Sequence, residues 1–167
     1  MFLTKKWGIL IKKESKSLEF TGLKIPRDYN RNLEDKMEIR EYRDFKKNEI
    51  QHLYTEVGWR AYTENMLVLE QGYKNSLLVL AAYENRELLG IIRCVGDGFT
   101  IVFVQDILVF PKKQHQGVGT ALLKAVFKKY HNVRQIELAT DNMPKNVNFY
   151  KTLGFTEFSD VGCCGFM

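Results

Sequence analysis

Gln114-His115-Gln116-Gly117-Val118-Gly119-Thr120-Ala121-Leu122-Leu123 is the stretch whose reading decides the fold of this chain. Upstream lies a strand-like run, Thr100 to Phe110, that stops at Pro111. Downstream a helix-like run continues to Tyr130. A strand, a short polar turn with two glycines and then a helix suits phosphate. The start of a helix leaves backbone N–H groups unpaired and carries partial positive charge. Gly117 and Gly119 have no side chains, so a diphosphate can approach the backbone, and the glutamine amides can add donors. Other phosphate loops fit poorly. A Walker A loop needs Lys before the Ser/Thr that here follows Gly119 directly as Thr120. The dinucleotide fingerprint needs Gly or Ala where Leu122 stands, and it has only Glu137, about 20 residues beyond Gly117, in its favour.

Further on comes Asp141-Asn142-Met143-Pro144-Lys145-Asn146-Val147-Asn148-Phe149-Tyr150-Lys151-Thr152-Leu153-Gly154-Phe155. The pattern Q-x-x-G-x-G resembles the acyl-CoA pyrophosphate loop of the GNAT N-acetyltransferases. The later N-x-x-F-Y-x-x-x-G-F is similar to the second acyl-CoA segment of that family, in the right order and at a distance of one helix, one strand and one more helix. The resemblance spans about residues 37 to 160.

The rest of the chain yields a mixed α/β sheet. Met37 to Tyr42 reads as a strand. Phe45, Ile50, Leu53, Tyr54 and Val57 have helical spacing, with Asp44 as the N-cap, and Gly58 breaks the pattern. Thr63 or Asn65 starts a second helix through Tyr73. Ser76 to Tyr83 and Glu87 to Val95 form a hairpin about Asn85-Arg86, and Gly96-Asp97-Gly98 makes the next turn. Val133 to Ala139 is a strand, Pro144 to Leu153 a helix, and Phe155 onward a last strand. The predicted order is β-α-α-β-β-β-α-β-α-β. The resemblance implies that the two central parallel strands splay apart, and a β-bulge is the usual cause of such a bend.

Residues 1–36 read as an N-terminal extension and residues 37–167 as the acetyltransferase domain. Leu33 to Met37 can be written in codons that hold a ribosome-binding sequence before ATG, so Met37 is a candidate start and residues 1–36 a translated upstream region. An ordinary N-terminal arm is the alternative. The net charge is +5. Most of it sits in residues 1–36, so the remainder is nearly neutral and no basic stripe with interleaved aromatics appears. No nucleic-acid partner is expected. No apolar run is long enough to span a bilayer, and Trp7 to Ile11 is too short for a signal core, so no membrane partner and a cytoplasmic location are expected. Cys94, Cys163 and Cys164 are too few for a disulfide framework, and no metal-binding spacing occurs.

The resemblance implies acetyl-CoA as cosubstrate, no metal, and a primary amine, small or on a protein, as acceptor of direct attack in a ternary complex. The chain would act as a monomer or homodimer. The backbone of Ile107, Leu108 and Val109 would meet the pantetheine and the thioester carbonyl. Gln114, His115, Gln116, Gly117, Val118, Gly119 and Thr120 would hold the pyrophosphate, with Lys112 and Lys113 near the 3′-phosphate. Asn146, Phe149 and Tyr150 belong to the second segment, and Tyr150 is the candidate general acid. A phenol stays protonated at neutral pH and can donate to a departing thiolate. Asp106, just before Ile107, is the candidate general base. Trp59, Tyr62, Met66 and Phe103 are candidates to line the acceptor site. Cys163 and Cys164 would border it on the last strand, with Asp97 or Asp106 supplying acidity. A binding or regulatory module with little catalysis is the alternative.

Overall fold

The computed structural model describes residues 37–166. The expectations for residues 1–36 lie outside the described residues. Five strands form one sheet in the order β1-β2-β3-β4-β5. They are β1 (Glu38–Glu41), β2 (Leu78–Glu84), β3 (Glu87–Gly96), β4 (Ile101–Val109) and β5 (Gln135–Leu138). The first four are antiparallel to their neighbours, and β5 runs parallel to β4. The helices are α1 (Lys47–Glu56), α2 (Met66–Lys74), α3 (Val118–Lys129) and α4 (Pro144–Thr152). The chain divides after Glu137 into two compact units.

In the first unit the central strands β2 and β3 are buried on both faces. Val79, Ala81 and Tyr83 of β2 join Ile50, Leu53 and Tyr54 of α1 and Met66, Leu69 and Tyr73 of α2 in one apolar cluster. The alternate residues Leu78, Leu80 and Ala82 are buried outside that cluster. Helix α3 packs across β1 to β4 through Val118, Leu122, Leu123 and Val126. Strand side chains alternate between faces, so a strand covered on both sides reads as one continuous apolar run, as β2 does.

Local chemistry sets the joints. Asn85 and Arg86 both have positive φ (49° and 69°), the condition of a tight hairpin turn whose twist matches the strands. Asn65 caps α2 and accepts from the Val68 N–H at 3.2 Å. At α1 the expected Asp44 cap is replaced. The N-cap is Lys46, with no capping side chain, and its N–H donates to the Tyr42 hydroxyl at 3.2 Å. That hydroxyl in turn donates to Glu49 at 2.9 Å. A buried tyrosine from the preceding strand end thus does what a local carboxylate was expected to do.

Two further features bear on the site. The pairing of β3 with β4 steps from Arg93↔Asp106 to Cys94↔Val104, which makes Gln105 the extra residue of a β-bulge. The last expected strand is absent from the second unit. After α4 the described residues form a single 3₁₀ turn, Phe158–Val161, and then irregular chain through Cys163 and Cys164. Gly162 at φ 75° ends that turn, and a left-handed glycine closes a helical turn rather than continuing a strand.

Candidate active site

The glycine loop is held by its own side chains. Pro111–Lys113 form a 3₁₀ turn directly after β4. Gln114 donates from Nε2 to the Val109 carbonyl at 3.1 Å, and Gln116 from Nε2 to the Lys112 carbonyl at 2.9 Å. Each glutamine therefore spends an amide hydrogen on the loop rather than keeping the pair for a ligand. His115 sits at φ 60°, an uncommon place for a residue with a side chain. Gly117 is the N-cap of α3 at φ 81° and has no capping side chain. A Cβ there would meet nothing within 4 Å, so the glycine answers to backbone conformation and not to crowding. Among the contacts at this end, Ala121 N–H bonds the Gly117 carbonyl at 2.9 Å as the first bond of the helix. The N–H groups of Val118, Gly119 and Thr120 precede it at the start of α3, where a helix leaves its first donors unpaired. Lys113 is engaged with Glu84 at 3.2 Å, both about a quarter exposed, while the Lys112 side chain makes no ion pair among the described residues.

Asp106 is the centre of a buried polar cluster on β4. Its Oδ2 forms an ion pair with Arg93 Nε of the facing strand and accepts from the Tyr54 hydroxyl of α1 at 2.7 Å. The Tyr73 hydroxyl of α2 donates to Tyr54 at 3.3 Å. Arg93 also reaches Ser76 at 3.4 Å, and Ser76 bonds the Gly72 carbonyl at 2.7 Å. Burial, then the neighbouring phenol and carboxylate, push the Tyr54 hydroxyl far above its ordinary pKa. Burial does the same for Tyr73. Burial works against the charge on Arg93, but Asp106 outweighs it and the guanidinium is held even more firmly protonated than usual. Both phenols therefore act as donors. Oδ2 is saturated, and Oδ1, itself buried, has no hydrogen-bond partner among the described residues. A buried carboxylate oxygen left unpaired costs about 1–3 kcal/mol, and Oδ1 keeps acceptor capacity that nothing in the cluster uses. The sequence reading singled out Asp106 but missed Arg93, Tyr54 and Tyr73. A lone arginine in the apolar run of β3 was the available signal, since a buried arginine needs a carboxylate.

The acceptor candidates divide. Trp59 caps the 3₁₀ turn Arg60–Thr63 and Tyr62 lies within it; the two rings stack at 5.6 Å and remain 38% and 39% exposed. Met66 is buried in the apolar cluster, and Phe103 is half-buried on β4. Asp97 is engaged by its own turn. It accepts from the N–H groups of Phe99, Thr100 and Ile101 at 2.8, 2.7 and 3.1 Å, and from the Thr100 hydroxyl. Those bonds, the hydroxyl first, hold its pKa well below the usual carboxylate range. It is the brace of the β3–β4 turn.

In the second unit, α4 carries Asn146, Phe149 and Tyr150, all half-buried. The Tyr150 ring meets Phe149 edge-on at 5.0 Å and Phe155 at 5.8 Å. Burial, followed by the charge of Asp141 and partly offset by Thr140, pushes its hydroxyl up to about 12. Lys151 is tied to Glu157 at 2.5 Å. No cluster able to hold a metal ion occurs among the described residues, and no helix there is long and apolar enough to cross a membrane.

Residues 41–164 match the family model of the acetyltransferase (GNAT) domain. The chain belongs to the GNAT N-acetyltransferase family. The GNAT protein is similar to an acetyltransferase of that family from Streptococcus pneumoniae TIGR4. The two are 37% identical with a TM-score of 0.71, over 78% of this chain and 96% of the other. An uncharacterized N-acetyltransferase, ycf52, of Gracilaria tenuistipitata var. liui is 28% identical over 112 residues, 65% of this chain. The match spans 60% of the length of that curated relative. The ribosomal-protein-S18-alanine N-acetyltransferase of Escherichia coli shares the fold at 18% identity and a TM-score of 0.62, over 72% of this chain and 78% of the other.

Proposed function

We propose that this protein moves an acetyl group from acetyl-CoA to a primary amine by direct attack in a ternary complex. The observation that carries this reading is the end of α3, where a left-handed Gly117 leaves backbone N–H groups without side-chain competition at the place the family uses for pyrophosphate. Acetyl-CoA supplies the activated thioester. Residues Gln114 to Thr120 hold its pyrophosphate chiefly through backbone, with Lys112 nearby. The backbone of Ile107, Leu108 and Val109 orients the pantetheine and polarises the thioester carbonyl. Asn146 and Phe149 complete the cofactor side.

The acceptor arrives as an ammonium and must lose a proton before its nitrogen can attack. Asp106 takes that proton at Oδ1, directly or through water, since Oδ2 is already committed to Arg93 and Tyr54. The new C–N bond forms as the C–S bond breaks, and Tyr150 gives its phenolic proton to the leaving thiolate. Trp59 and Tyr62, with Met66 beneath them, form the acceptor side.

Release of CoA thiol across a panel of amines, in wild type and Tyr150→Phe, tests this reading. Amine-dependent release should fall roughly 10²–10⁴-fold in the variant. Unchanged release would remove Tyr150 from the mechanism. Binding of acetyl-CoA with no release for any amine would assign a binding role instead. The Tyr150-dependent rate should stay flat through neutral pH and decline only as the pH rises towards about 12, where the phenol loses its proton.

A further inference from the structure

Helix α1 ends in an unusual way. Its last turn contains no basic residue and carries Glu56, at the end where the helix dipole already places partial negative charge. A carboxylate there works against the helix. The chain then turns back at Gly58, φ 85°, and the Trp59 N–H bonds the Tyr54 carbonyl at 2.9 Å. That bond seats the indole beside the last turn of α1. Trp59 stacks on Tyr62, and the buried ring of Tyr54 meets both, at 6.3 and 5.5 Å. Glu64 follows the 3₁₀ turn on its other side. Glu56 and Glu64 are exposed and make no ion pair among the described residues. Arg60 is the single cation from residue 56 to residue 65. Two exposed aromatic rings, a helix C-terminus and two carboxylates against one guanidinium favour one chemistry, an organic cation. Aromatic faces attract ammonium groups, and the nearby negative charge adds to that attraction.

We infer that the Trp59–Tyr62 shelf binds a second ammonium group of the acceptor, so that the acceptor is an aliphatic di- or polyamine. This rests on the acetyltransferase reading for the reacting amine. The link between the two sites is Tyr54, whose ring supports the shelf and whose hydroxyl meets Asp106, the residue before Ile107. One ammonium rests on the shelf while the other end of the same chain reaches β4. A planar aromatic amine would use the rings but leave Glu56 and Glu64 without a role.

The test compares 1,6-diaminohexane with 6-amino-1-hexanol, which has the same reach but a neutral far end. Binding to the full chain is followed by calorimetry and turnover by CoA release. The diamine should bind roughly tenfold more tightly, the scale of a partly desolvated cation–π contact, and the advantage should shrink with added salt. Trp59→Leu and Glu56→Gln should each erase most of the preference, and Trp59→Phe should retain it. Glu56→Gln alters only an exposed side chain, so it stays informative if Trp59→Leu does not fold. Equal binding of the two amines, or a preference that survives both variants, would overturn the shelf. If no amine releases CoA, the acetyltransferase reading fails, and calorimetry still decides the shelf. Turnover without preference keeps the transferase and discards the shelf.

Discussion

The loop ending at Gly117 and the cluster around Asp106 hold their polar groups in place by opposite means. The loop uses backbone. Its residues are contiguous, its glutamines turn inward onto Val109 and Lys112, and two of its residues, His115 and Gly117, have positive φ. The cluster uses side chains from α1, α2, β3 and β4, drawn from residues 54 to 106, and buries a full ion pair to do so. A backbone site tolerates changes of side chain but not of conformation. A side-chain site tolerates little at any member, because each loss strands a buried partner.

The largest expected effect lies in the cluster. Arg93→Leu should destabilise the protein by about 3–5 kcal/mol in urea unfolding, because it leaves the Asp106 carboxylate buried and uncompensated. Pairing it with Asp106→Leu should recover much of that loss. A double variant as unstable as the sum of the two singles would show that the charges do not act as a pair. Next comes Gly117→Ala. Space is available for the methyl group, so the cost is conformational, about 1–2 kcal/mol for a left-handed alanine. It should appear as roughly tenfold weaker acetyl-CoA binding by calorimetry, with Gly117→Asn intermediate. Equal affinity in all three would separate the backbone geometry from cofactor binding. Smallest is Lys113→Ala, which breaks the ion pair with Glu84. That pair is partly exposed, so unfolding should report about 0–1 kcal/mol. A loss approaching that of Arg93→Leu would mean that burial does not separate the two ion pairs.

Much of the layout was legible in the sequence because its signals are local. Two nearly continuous apolar runs between Ser76 and Val95 flank Asn85 and Arg86, which take positive φ, and the hairpin follows. The glycine loop and the N-x-x-F-Y-x-x-x-G-F segment placed α3 and α4 within a residue or two. The differences come from contacts within a few residues that composition does not reveal. Asp44 has the chemistry of a cap, but Tyr42 answers the N–H of Lys46. Phe155 onward has the composition of a strand, yet Gly162 ends a 3₁₀ turn there.

By itself, then, the sequence determined the order of strands and helices up to α4, the glycine loop at the start of α3 and the family to which the chain belongs. Each of these depends on side-chain periodicity or on backbone conformations that few residues can adopt. Only the tertiary structure decided that Arg93 and Tyr54 meet on one oxygen of Asp106, that the β4 bulge falls at Gln105, and that Trp59 and Tyr62 stack beside the end of α1. The physical reason is sequence separation. Tyr54 lies 52 residues before Asp106, and no local rule specifies which buried donor will face which buried acceptor until the sheet and helices have packed.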